Sequence, residues 1–162
     1  MVSNEMKKYL DLYERSREPV VKNVIGERFS IVSGVPVFYQ IYKSLPKGIP
    51  NADEGICYVG FDGKIFIDDF DEVPEDRREK YQDLIALHEK IEYDTLRNNG
   101  LPVPRPFACE SPVKAIDAHN VAHYTELLAA HRMGILPEYV SWRPKESVTE
   151  QICKELGYGS LW

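Results

Sequence analysis

The four histidines of this 162-residue chain, His88, His119, His123 and His131, fall in two segments that read as consecutive helices. The first carries His88-Glu89-Lys90-Ile91-Glu92. The second carries Ala118-His119-Asn120-Val121-Ala122-His123-Tyr124-Thr125-Glu126. Two imidazoles and one carboxylate, with a position left open for water, make a catalytic zinc set. Zinc lowers the pKa of its water toward ~7, and a carboxylate beside it takes the proton. Glu89 suits that second task, because it follows His88 but points ~100° further round the helix. His131, close to the end of its helix, reads as a residue favoured by the macrodipole rather than as a ligand.

The first helix is expected from about Glu75 to Asn98, with acidic residues in its first turn and Asn99-Gly100 as its stop. Tyr81, Leu84, Ile85, His88, Ile91, Glu92 and Thr95 recur at helical spacing and form its core-directed stripe. His88 and Glu92 thus stand where aliphatic residues belong, and a carboxylate on a buried stripe is costly unless paired. The second helix is expected from near Ser111, with Pro112 in its first turn, to about Arg132, ended by Gly134. Asp117, Val121, Tyr124 and Leu128 form one stripe on it. The adjoining face carries Ala115, His119, Ala122, His123, Glu126 and Ala130. Small residues let two helices approach to within ~8 Å, so the polar groups of both helices can converge. His119 and Glu126 are ~10.5 Å apart along the axis, too far to share one ion on a straight helix. His119 with His123, or His123 with Glu126, fits one ion better.

Other elements frame this pair. Residues 1–20 hold an amphipathic helix over Glu5 to Arg17, stopped by Pro19. Residues 28–68 hold strand-like runs at Phe29–Val32, Val35–Tyr42, Ile56–Phe61 and Lys64–Ile67. The last two flank Asp62-Gly63, which predicts a tight hairpin with a type I′ turn. Leu45 to Asn51 reads as a loop, and Pro102, Pro104 and Pro106 as a stiff connection. Residues 135–162 form a C-terminal extension with a helix over Ser147 to Leu156. Strands first and helices after predict one α+β domain over 1–162: a small antiparallel sheet with its hairpin packed on two central helices, residues 75–133.

The motif pair resembles the zincin-like metallopeptidase core. More narrowly, it is similar to small bacterial, phage and plasmid proteins, uncharacterised and zincin-like, that carry HExxE and then AHxxAxxxE on the next helix. The resemblance covers about residues 55–130. It implies that His88 and Glu92 are metal ligands, Glu89 the general base and His119 the third ligand. Glu126 would then be a further ligand or the partner of a ligating histidine, and His123 competes with His119. The resemblance also implies an extended peptide or protein substrate added along a sheet edge. Glu92 departs from the usual zincin histidine, which lowers the charge of the site and makes bound water less acidic.

Composition narrows the classes further. The chain is 43% apolar and 28% charged, which excludes a wholly disordered or fibrous protein. No run approaches the ~18 apolar residues of a membrane span. The first residues carry no apolar secretion signal, so a cytoplasmic protein is expected. A net charge of −6, with no basic cluster, argues against nucleic acid as a partner. Cys57, Cys109 and Cys153 form no CxxC pair and read as isolated thiols. The acidic run Asp68 to Glu72 lacks the spaced ligands and glycine of a calcium loop.

The expectation is therefore a hydrolase dependent on zinc or another divalent metal, a peptidase in class. The principal alternative is a non-catalytic interaction or regulatory domain in which an ion ties two helices together. A dinuclear carboxylate site would need more ExxH pairs than the single HxxE at His123/Glu126.

Overall fold

A computed structural model of the chain describes residues 22–43, 52–53, 56–60, 62–101 and 112–159, together with Asn4, Lys7, Lys8 and Asp11. Those four N-terminal positions are helical; the rest of the helix expected over Glu5 to Arg17 lies outside the described residues, as do the 44–51 loop and the proline connection. The architecture is α+β. Strands β1 (Val24–Val32), β2 (Val35–Tyr42), β3 (Ala52–Asp53), β4 (Cys57–Val59) and β5 (Ile65–Asp68) precede helices α1 (Glu75–Asn98), α2 (Pro112–Arg132), α3 (Leu136–Trp142) and α4 (Ser147–Glu155).

The sheet runs β1-β2-β5-β4-β3. It is mixed, which corrects the expected all-antiparallel sheet: β2 and β5 pair in parallel, Tyr39 with Ile65 through Tyr42 with Asp68. The reason lies in the chain's path. After β2 it crosses to lay down β3 and β4 on the far side, so β5 returns beside β2 in the same direction. The β1 strand also starts earlier than expected, at Val24, with a register shift between Val24 and Gly26.

The two hairpin turns exchange roles. Val32 pairs with Val35, and the two residues between them, Ser33 and Gly34, have φ of 48° and 78°. Both central residues are left-handed, which is the type I′ condition. The expected type I′ turn at Asp62-Gly63 is not formed, because only Gly63, at φ 80°, is left-handed there. Gly60 N–H instead donates to Lys64 O at 2.9 Å, and Gly63 N–H to Gly60 O at 3.0 Å. That is a three-residue loop with glycine in the bulge position.

One face of the sheet buries Val37, Tyr39, Cys57, Ile65 and Ile67 under α1. Gln82 Nε2 donates to the Asp68 and Asp69 carbonyls at 3.3 and 3.2 Å, and Asp83 accepts from Ser30 Oγ at 3.0 Å and Tyr39 OH at 2.5 Å. The opposite face of the β1–β2 hairpin shows Ile25, Phe29, Ile31 and Phe38 to solvent.

Helix α1 has the expected bounds. Gly100, at φ 71°, closes it as Leu101 N–H reaches back to Leu96 O at 3.0 Å. Helix α2 ends the same way at Gly134, with Ile135 N–H on Ala130 O at 3.1 Å. Ala118, Ala122, Ala129 and Ala130 are fully covered, so the backbones of α1 and α2 pack closely. The stripe of Asp117, Val121, Tyr124 and Leu128 is not a core stripe: Val121 and Tyr124 are exposed. Helix α3 was not expected. Tyr139 and Trp142 bring it onto Tyr81 with ring centroids 5.1 and 4.9 Å away, and Phe70 stacks edge-on against Trp142 at 4.9 Å. No helix among the described residues is long and apolar enough to cross a membrane.

Candidate metal centre

Helix spacing carries His88 and Glu92 on one face of α1, and His119, His123 and Glu126 on the face of α2 that meets it. All five side chains are buried or nearly so. His88 Nε2 is 3.1 Å from Glu92 Oε2, and His119 Nδ1 is 3.0 Å from the same oxygen. The donor atoms of His88, Glu92 and His119 all lie within 4.8 Å of one another. A second group, His88, His123 and Glu126, meets the same limit.

The two groups differ chemically. Ligands of a tetrahedral zinc at ~2.0–2.1 Å stand ~3.3 Å apart. The contacts at Glu92 come close to that spacing. His88 Nδ1, by contrast, is 2.6 Å from Glu126 Oε2, the length of a short charge-assisted hydrogen bond. Glu126 is also taken up from behind. Its Oε1 accepts from the Tyr139 hydroxyl and from Arg143 Nε at 2.7 Å, while Arg143 Nη2 reaches Oε2 at 3.2 Å. His123 Nδ1 is 3.2 Å from Oε2. Glu126 is thereby suited to orient His88 rather than to ligate, the arrangement that fixes a ligating histidine's tautomer. His123 Nε2 faces Thr149 Oγ1 at 2.8 Å and Glu146 Oε2 at 3.2 Å, and His119 Nε2 faces Glu146 Oε1 at 2.5 Å.

The charges follow from these contacts. Burial alone would lower the His88 pKa, but the charge and hydrogen bond of Glu126, with Glu92 and Glu89, raise it to about 10. Burial likewise opposes protonation of His119, and Glu146 and Glu92 outweigh it, to about 9. Glu92 and Glu146, which burial would push up, are held down at about 2, each chiefly by its hydrogen bond to His119. Glu126 resists burial through the Arg143 guanidinium and His88, and stays well below the usual carboxylate range. Burial and the adjacent Glu126 charge push the Tyr139 phenol well up. Without an ion, His88, His119 and Arg143 are thus positive against negative Glu92, Glu126 and Glu146. These three positive and three negative groups balance.

Glu89 belongs to neither donor group. It is half-buried on α1, and its charge acts on both His88 and the Tyr42 hydroxyl, so it lies beside the cluster toward the sheet. His131 stands apart, with Nδ1 2.9 Å from Tyr158 OH. Four participants were missed in the sequence: Tyr139, Arg143, Glu146 and Thr149. All belong to the C-terminal extension and carry no periodic signal. Searches against protein-family models, curated proteins and solved structures find no match for this chain.

Proposed function

We propose that the chain is a metal-dependent hydrolase of zincin type acting on peptides, with His88, Glu92 and His119 as ligands of a divalent ion and Glu89 as general base. The observation that carries this reading is the buried triad of donor atoms, drawn from two helices and lying within 4.8 Å of one another. Charge balance supports it. Ligation takes one proton each from His88 and His119, and a divalent ion restores the two positive charges, so the charge of the cluster is unchanged. Imidazole with carboxylate suits zinc and other first-row divalent ions. Such an ion, when bound, polarises a substrate carbonyl and lowers the pKa of water toward ~7. Glu89 takes the proton and returns it to the leaving amine. Glu126 and Arg143 keep the His88 ring fixed throughout. A peptide would add as a strand at a sheet edge, where β1 and β3 border the sheet.

The test is Glu89→Gln, which should keep the bound ion and abolish turnover of a peptide cleaved by the wild type. Wild-type turnover in that variant would remove Glu89 from the mechanism. A second reading, an ion-tied regulatory or interaction domain without catalysis, is favoured by Glu92 in the usual histidine position. It predicts a large chelator-induced loss of stability and no cleavage across a broad peptide screen.

A further inference from the structure

We infer that Glu146 couples ion binding at the triad to docking of helix α4. This rests on His88, Glu92 and His119 being the ligands, and it adds a regulatory contact to that site.

Glu146 is the residue immediately before α4, in extended conformation at φ −118° and ψ 152°. It therefore belongs to the short connector that starts at Arg143, the residue ending α3. Its Oε1 meets His119 Nε2 at 2.5 Å, while the opposite nitrogen of the same ring faces Glu92. An imidazole whose Nε2–H donates to a carboxylate keeps its Nδ1 lone pair for an ion and gains basicity as a ligand. Glu146 thus does for His119 what Glu126 does for His88. The two carboxylates differ in freedom, however. The Glu126 side chain is 0% exposed and held by Arg143, whereas that of Glu146 is 32% exposed. Glu146 is thus the carboxylate of the two that reaches solvent.

Helix α4 is otherwise docked by Thr149, Ile152 and Cys153, with Thr149 Oγ1 on His123 Nε2. When α4 is docked, Glu146 holds His119 ready for an ion. An ion that fixes His119 in turn favours the docked helix by the same free energy, since linkage is reciprocal. The connector and α4 then report the occupancy of the centre at the protein surface.

Hydrogen exchange on the full chain, with and without zinc chloride, tests this, together with zinc titrations of the variants. In the wild type, zinc should raise amide protection across Ser147–Glu155. Glu146→Gln should bind zinc ~10–100-fold more weakly and lose the protection gain even at saturation. Thr149→Val removes a different tie of the same helix. It should lower protection in both states while leaving the zinc-dependent gain. If Glu146→Gln does not fold, Glu146→Asp carries the same comparison. Wild-type zinc affinity in the Glu146 variant, or zinc binding that leaves α4 protection unchanged in the wild type, overturns the inference while leaving the ligand triad standing. Undiminished zinc binding in both His88→Ala and Glu92→Ala removes the triad itself, and the inference falls with it.

Discussion

His88 Nδ1 stands 2.6 Å from Glu126 Oε2 across the gap between α1 and α2. That one contact orders the cluster. It turns the other nitrogen of His88 toward Glu92 and His119, and it occupies Glu126 in a way that removes it from the front of the site. Arg143, arriving from the end of α3, then neutralises Glu126 from behind. The result is layered. A donor triad stands in front, carboxylates lie behind its imidazoles, and a guanidinium and a phenol lie behind one carboxylate. Histidines that bind metals are oriented in this manner, and a hydrogen-bonded core histidine would need only the first of these layers.

The Glu126–Arg143 pair is buried, so breaking it from one side should be costly. Glu126→Ala leaves a guanidinium without its counter-charge and should destabilise the protein by about 3–5 kcal/mol. The double variant Glu126→Gln with Arg143→Met removes both charges and should lose less than the sum of Glu126→Gln and Arg143→Met made singly. Urea unfolding of the three variants measures this directly. Strict additivity would mean that the two side chains do not interact.

Stability of the metal-free protein should depend on pH in two directions. His88 and His119, raised to about 10 and about 9 from 6.5, are more easily protonated in the folded state. Their contribution is whole below their unfolded pKa and is lost as pH rises through the folded values. Glu92 and Glu146, lowered to about 2 from 4.5, behave oppositely: their contribution is present above their unfolded pKa and is lost as pH falls toward the folded one. Urea midpoints of chelator-treated protein should therefore peak between about pH 4.5 and 6.5. A maximum at pH 8 or above would mean that the imidazoles are neutral in the fold.

Local rules reached some of this arrangement and not the rest. The bounds of α1 and α2 were legible because Pro74, Gly100, Pro112 and Gly134 act within a turn of where they stand. The convergence of His88, Glu92, His119 and Glu126 was legible because helix periodicity places each on a face. The parallel pairing of β2 with β5 was not, since it depends on a crossover through β3 and β4 that no local pattern encodes. Asp62-Gly63 carries the stronger dipeptide signal for a type I′ turn, but strand register decides which turn fits, and the turn forms at Ser33-Gly34. Arg143 and Glu146 were invisible for a related reason. A single charged residue in a connector acquires meaning only once the chain folds back over α2.

Zinc binding should displace protons and stabilise the fold together. Both raised histidines must give up a proton to ligate, so at least about two protons should be released per ion near pH 7.5, with more where bound water ionises. Calorimetric titration in buffers of different ionisation enthalpy counts them. At a free zinc concentration 100 times Kd, the ion should add ~2.7 kcal/mol, equivalent to ~5–10 °C in Tm for a chain of this size. Chelation should reverse the shift, and His88→Ala should abolish it. Release of no protons would place the ion somewhere other than these imidazoles.

The β4–β5 turn is seated on α1 at one point, where Gly63 meets the residue that follows Glu92. A Cβ at Gly63 would stand 3.0 Å from Tyr93 Cε1 and 3.1 Å from Cζ, and the backbone there has φ of 80°. Gly63→Ala therefore meets two separable penalties, a left-handed backbone costing ~1 kcal/mol or more and a ring that must move. Together they should destabilise the protein by about 1–2 kcal/mol. In a Tyr93→Ala background the ring contact is gone but the backbone penalty stays. The cost of Gly63→Ala should then shrink without vanishing. Denaturation of the four proteins of this cycle separates the two terms. An unchanged cost in the second background would mean that the tyrosine ring gives way freely, so that only the backbone conformation requires glycine.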